Sequence, residues 1–97
     1  MKQFENVYSI VQKIPKGRVS TYGLIAKQLN MSPRVVGYAL HANPDPDNIP
    51  CHRVVDRTGR VAPGFAFGGP GIQKKLLEAE GVEFIDETHV DIKRFLS

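Results

Sequence analysis

The stretch STYGLIAKQLNMSPRVVGYALHANP, residues 20–44, decides the fold. Thr21 suits the N-cap of a helix over residues 22–29, with Ile25, Ala26 and Leu29 turned inward. Asn30-Met31-Ser32 is a short connection, and Ser32-Pro33 starts a second helix, serine capping free amides and proline fitting the first helical position. That helix is expected over residues 33–42, where Asn43 accepts a left-handed cap and Pro44 prevents continuation. Two short helices joined by so few residues form a helix-turn-helix pattern, although a generic helical hairpin would look the same. On the second helix Arg34, Tyr38 and His41 form a polar and aromatic stripe, while Val36, Ala39 and Leu40 lie on the opposite side. Gly37 costs that helix about 1 kcal/mol relative to alanine, which suggests that another surface approaches there.

Upstream, Phe4, Val7, Tyr8, Val11 and Ile14 repeat at three- and four-residue steps, predicting an amphipathic helix that closes at Pro15-Lys16-Gly17. Downstream, the Pro- and Asp-rich residues 43–48 lead into Ile49-Pro50-Cys51-His52-Arg53-Val54-Val55. Val54-Val55, the turn Asp56-Arg57-Thr58-Gly59 and Arg60-Val61 read as a small hairpin, a wing beside the helix pair. Residues 62–71 form a glycine- and proline-rich loop carrying Phe65 and Phe67, either plugs for the core or one wall of a base-sized pocket. A helix over residues 72–80 should bury Ile72, Leu76 and Leu77 and end on Gly81, followed by a short strand at Val82-Glu83-Phe84-Ile85 and a tail that packs back. The expected architecture is mainly α with a small β hairpin, a winged helix-turn-helix-like single domain over residues 1–97 with no N-terminal companion domain.

With 41% hydrophobic and 24% charged residues, neither a disordered chain nor a disulfide scaffold is indicated. The single cysteine cannot form an internal disulfide, and no stretch approaches membrane-spanning length, so a cytoplasmic protein is expected, nucleoid-associated in a bacterium or archaeon and nuclear in a eukaryote. Of the net charge of +3, the basic share sits in residues 13–60, with eight lysines and arginines against three acids, whereas residues 61–97 hold four against six. The positive charge thus accompanies the helix pair and Cys51, as a polyanion-binding surface requires. No nucleotide-phosphate fingerprint is present. His41, His52, His89 and the one cysteine show no paired ligand spacing, so no metal or other cofactor is expected.

Cys51 is the candidate chemical centre. A free thiol, with a pKa of roughly 8.5, becomes a nucleophile when cationic or proton-accepting neighbours favour the thiolate, and His52 and Arg53 are candidates for both roles. Pro50 before it and the β-prone valines after it put Cys51 at an element boundary, where reactive groups are displayed. A lone cysteine is also commonly a small core hydrophobe.

Pro50-Cys51-His52-Arg53-Val54-Val55 resembles the active-site motif of the methylguanine-DNA methyltransferases, suicidal repair proteins that remove alkyl groups from guanine O6. Val19-Ser20-Thr21-Tyr22, Arg34-Val35-Val36-Gly37, Asn43-Pro44, Gly68-Gly69 and Leu76-Leu77-Glu78-Ala79-Glu80-Gly81 follow the same family's order and approximate spacing. The resemblance implies that Cys51 accepts the alkyl group, His52 acts on it through a water and Glu80 orients His52. It further implies that Tyr22 supports the flipped base and assists the leaving guanine, Arg34 enters the base stack, and Asn43 braces the active-site turn. The implied DNA surface comprises Arg34, Tyr22, Ser32, Gly37, Tyr38, His41 and Arg53, and the implied lesion pocket comprises Tyr22, Pro50, Phe65, Ala66, Phe67 and Gly68. An enzyme acting on an atom inside a duplex must extrude the base, so a groove-entering helix and a pocket belong together. The chain departs from the family in three places. No N-terminal domain is expected, Ala66 and Phe67 stand where the family has a tyrosine and a serine, and Tyr38 stands where a small residue is usual. These departures resemble the alkyltransferase-like proteins, which bind and flip alkylguanine without transferring the group and recruit other repair proteins. A winged-helix transcription regulator would explain the helix pair but gives no task to Cys51, His52 or Glu80.

Overall fold

Thr21 Oγ1 accepts the Leu24 amide at 3.1 Å and starts α2 (Tyr22–Leu29). Ser32 Oγ accepts the Arg34 amide at 3.2 Å and starts α3 (Pro33–His41), with Pro33 in its first turn. These caps belong to a computed structural model that describes residues 2–97. The left-handed residue is Asn30, at φ 54°, and it ends α2 rather than α3. Asn43 does not take the left-handed cap expected of it: α3 ends on Ala42 at φ −93°, and the Asn43 side chain is buried for another purpose. Helix α1 (Lys2–Val11) is followed by tight turns to Ile14 and packs on the helix pair, where Tyr8 Oη donates to the Ala39 carbonyl at 2.8 Å.

The small sheet is parallel, which corrects the expected hairpin. Strand β1 (Ser20–Thr21) pairs with β2 (Val54–Val55), Ser20 opposite Val54 and Thr21 opposite Val55. The turn after β2 does form, because Asp56 Oδ1 accepts from the Thr58 amide, the Thr58 hydroxyl and the Arg60 amide. Its outgoing limb then diverges: Arg60 bridges antiparallel to His89, and the Val61 amide donates to the Thr88 carbonyl at 2.9 Å. The C-terminal segment therefore supplies the antiparallel partner that the hairpin reading assigned to β2.

Helix α4 (Pro70–Ala79) buries Gln73 and Leu77 completely and leaves Ile72 and Leu76 39% and 40% exposed. The expected inward pair Ile72 and Leu76 thus lies one position away from the actual inward row. Gly81, at φ 90°, ends the helix as its residue type favours. Residues 82–85 form no strand, only the bridge Phe84 to Val90, and Ile85 is 67% exposed. The tail packs back as expected: α5 (Ile92–Phe95) delivers the Phe95 carbonyl to the Val19 amide at 2.9 Å, and the Ser97 amide returns to the Val19 carbonyl at 2.7 Å.

Adjacent residues on a strand face opposite ways, and the two valines of β2 join two apolar clusters on that basis. Val54 enters the cluster of the three N-terminal helices, with Val7, Val11, Ile25, Val36, Leu40 and Cys51. Val55 enters the other, with Val19, Val61, Leu77, Val82 and Val90. No helix among the described residues is long and apolar enough to cross a membrane.

Candidate active site and nucleic-acid interface

Cys51 opens a single 3-10 turn, Cys51–Arg53, between the 43–50 loop and β2, so both flanks fix its position. Two buried amide side chains hold the turn. Asn43 Nδ2 donates to the Ile49 carbonyl at 2.8 Å while its Oδ1 accepts the Asp45 amide at 2.9 Å, bracing the loop across its neck. Gln73 Nε2 donates to the carbonyls of His52 at 3.1 Å and Val54 at 3.0 Å, and its Oε1 accepts the Ala62 amide at 2.8 Å. The sequence singled out Asn43 and missed Gln73. The available signal was a polar residue four positions before Leu77 on the same helical row.

The Cys51 residue is only 6% exposed, and burial pushes its thiol up, outweighing the Asn43 amide and the backbone amides of Cys51 and His52, which act in the opposite direction. At neutral pH the thiol therefore holds its proton and needs a base. His52 Nε2 lies 2.8 Å from Glu80 Oε2, with the two side chains 13% and 11% exposed. Burial alone would raise the Glu80 carboxyl, but hydrogen bonds from Arg53, His52 and the Gly17 amide hold it down to about 2. An ionised carboxylate only accepts, so the network assigns the neutral ring's proton to Nε2 and leaves Nδ1 as an acceptor.

Arg53, expected on the DNA surface, spends donors inside the protein: its Nε and Nη2 donate to the two oxygens of Glu80, each at 2.9 Å, and its Nη1 donates to the Ile14 carbonyl at 2.9 Å. A guanidinium engaged on all three nitrogens and only 16% exposed has little left for a phosphate.

On one side of Cys51 a cavity of about 60 Å³ is lined by Tyr22, Leu40, His41, Phe65, Ala66 and Phe67. Phe65 and Phe67 meet edge to face at 5.9 Å. Burial raises the Tyr22 phenol, with Cys51 and Asp56 adding to the effect, so it remains a hydrogen-bond donor. Two of the expected pocket residues lie elsewhere. Pro50 borders a wider cleft of about 570 Å³ that also meets Cys51, Phe65 and Phe67 and is shared with His52, Glu80, Ile72 and Leu76. Gly68, at φ 125°, is where the loop rests on α4: a Cβ there would lie 2.7 Å from Ile72 Cγ1.

The stripe of α3 is open to solvent, with Arg34 and His41 exposed and Tyr38 60% exposed. Ser32, exposed at its start, spends its hydroxyl on the cap. A Cβ at Gly37 would meet nothing within 4 Å, so the fold itself does not demand glycine there. His41 belongs to both the stripe and the cavity lining, which makes the helix face and the cavity one continuous surface. Among the described residues no group of three or more His, Cys, Asp and Glu side chains could hold a metal ion.

Residues 2–82 match the family described as 6-O-methylguanine DNA methyltransferase, DNA binding domain. The methylated-DNA–protein-cysteine methyltransferase of Archaeoglobus fulgidus is 47% identical over 75 residues, covering 74% of this chain and 51% of that protein. The chain spans about half the length of the curated relatives it matches. S. pombe Atl1, crystallised with damaged DNA containing O6-carboxymethylguanine, superposes with a TM-score of 0.86 at 32% identity, covering 99% of this chain and 94% of that one. The Mycobacterium tuberculosis OGT crystallised with DNA gives a TM-score of 0.77 at 34% identity, over 84% of this chain and 49% of that one. A family match extending from the first helix to the end of the Glu80 segment means that this chain belongs to the 6-O-methylguanine DNA methyltransferase family, through its DNA-binding domain.

Proposed function

We propose that the chain binds duplex DNA through α3, takes an O6-alkylated guanine into the Tyr22 cavity and transfers the alkyl group to Cys51 Sγ in one stoichiometric event. The observation that carries this reading is the residue next to the thiol: His52, its Nε2 fixed on an ionised Glu80 at 2.8 Å, has Nδ1 left to accept a proton. The thiol proton passes to His52 by way of a water, and the thiolate attacks the alkyl carbon in line with the C–O6 bond. An S–C bond forms as the C–O bond breaks, its electron pair leaving on guanine. Guanine takes up a proton in turn, with the Tyr22 phenol as the donor at hand. Once the imidazolium has given up its proton and the Tyr22 phenol has regained one through solvent, the net exchange is the thiol proton for the alkyl group, and no second turnover follows. Arg34 fills the space left in the base stack. The cavity of about 60 Å³ must widen to admit a base, and the loop carrying Phe65 and Phe67 forms one of its walls.

Intact-protein mass measured after mixing with a duplex containing one O6-methylguanine tests this. Wild type gains one methyl group in place of a proton and Cys51→Ser gains nothing; an unchanged wild type sinks the transfer reading. Two observations favour a second reading, a lesion sensor that binds without transfer and recruits other repair proteins. The side chains of Ala66 and Phe67 offer a bound base no hydrogen bond, and the likeness to Atl1 extends over 94% of that chain. Lesion-selective binding with no mass change, unaltered in Cys51→Ala, would select it.

A further inference from the structure

Four donor contacts converge on the Glu80 carboxylate. Oε1 accepts the Gly17 amide at 3.3 Å and Arg53 Nε at 2.9 Å, while Oε2 accepts His52 Nε2 at 2.8 Å and Arg53 Nη2 at 2.9 Å. The acceptor sites of an ionised carboxylate are thereby filled, so the group cannot turn to follow the imidazole. The remaining Arg53 nitrogen, Nη1, is tied to the Ile14 carbonyl just beyond α1. A permanent positive charge therefore shares the oxygen on which His52 depends.

We propose that Arg53 is a positioning residue for the Cys51 chemistry: by gripping Glu80 through two parallel hydrogen bonds and offsetting its charge, it keeps His52 a neutral imidazole with Nδ1 free. A carboxylate at 2.8 Å with no other cation beside it favours imidazolium, and an imidazolium has no lone pair for the thiol proton. Arg53 removes much of that pull and leaves the hydrogen bond that orients the ring. The titratable and charged groups lining the cleft with His52 are Glu80 at the end of α4, Cys51 and Arg53 on its own turn, and Asp47 on the loop bordering the same cleft. Of these, Arg53 alone is positive. The consequence for rate rests on the transfer reading above, whereas the consequence for the charge of His52 does not.

The test is an NMR titration of the His52 ring in wild type, Arg53→Gln and Arg53→Lys, with pH–rate profiles of Cys51 methylation alongside. In Arg53→Gln the His52 midpoint rises by about one unit, and in Arg53→Lys, which keeps the charge, it stays within about 0.3 of wild type. If Arg53 merely props Glu80 in place, its loss frees the carboxylate and the midpoint falls or stays put, which overturns the proposal. Should Arg53→Gln not fold, Arg53→Met takes its place with the same expected rise, and a midpoint that falls or stays put overturns the proposal. The acid limb of the rate profile moves with the ring, so Arg53→Gln is slowed about tenfold on the acid side of the wild-type midpoint and recovers as pH rises. A wild type that never methylates Cys51 would remove the transfer reading and leave the NMR result to decide the role of Arg53.

Discussion

Gln73 uses its whole amide inside the protein, donating to one carbonyl of the Cys51 turn and one of β2 and accepting one amide from the aromatic loop. Replacing it with leucine keeps the bulk and orphans those groups. We expect Gln73→Leu to lose about 2–4 kcal/mol in urea unfolding, one unsatisfied buried group costing roughly 1–3 kcal/mol. A loss below about 1 kcal/mol would mean that water replaces the amide. At this scale the cysteine block was legible because its residue types are chemically unusual side by side: a thiol, an imidazole and a guanidinium after a proline. Glu80 was legible only through family spacing, since no local rule brings a helix-end acid to a histidine 28 positions earlier. The hold of Arg53 on Glu80 was not legible, because a guanidinium beside a cysteine suits a phosphate as well as a carboxylate, and only three-dimensional contact reveals the carboxylate.

At the scale of elements, α3 carries the DNA prediction. If Arg34 enters the stack rather than gripping a phosphate, Arg34→Ala weakens binding to a lesion duplex about tenfold, with the slope of log affinity against log salt unchanged. A slope smaller by about one would make Arg34 an ordinary phosphate contact. The helix pair could be read in advance because capping is local: Thr21 and Ser32 act within three residues of themselves. The sheet could not. A two-residue strand carries too little pattern to name its partner, so the nearby turn suggested a hairpin while the true neighbour of Val54 is Ser20, 34 positions earlier. The inward face of α4 was misread for a related reason, since apolar periodicity has no means of ranking a glutamine that three backbone groups require.

For the whole molecule, pH is the sharpest probe. Glu80 and Asp86 are both held at about 2 in the folded state, Glu80 by its bonds to Arg53, His52 and Gly17 against the opposing effect of burial, Asp86 chiefly by the Thr88 amide and His89. A carboxyl whose folded value lies below its unfolded one stabilises the fold fully above the unfolded value and ceases to do so as pH falls through the folded one. Melting temperature should therefore be level from pH 7 to about 5 and fall steadily toward pH 2, and Glu80→Gln should lower the plateau and flatten the fall. A melting temperature that is level down to pH 3 would contradict these pairings. The match to the family model stops at residue 82, yet Val90 is buried in the second apolar cluster, Phe84, Ile92 and Phe95 pack against it, and Val19 is pinned from both sides by residues 95 and 97. The segment that the family model matches and the segment that closes the core thus have different ends, and a fragment trimmed to the former would keep every residue of the proposed chemistry while baring Val19, Val55, Val61 and Leu77 to water.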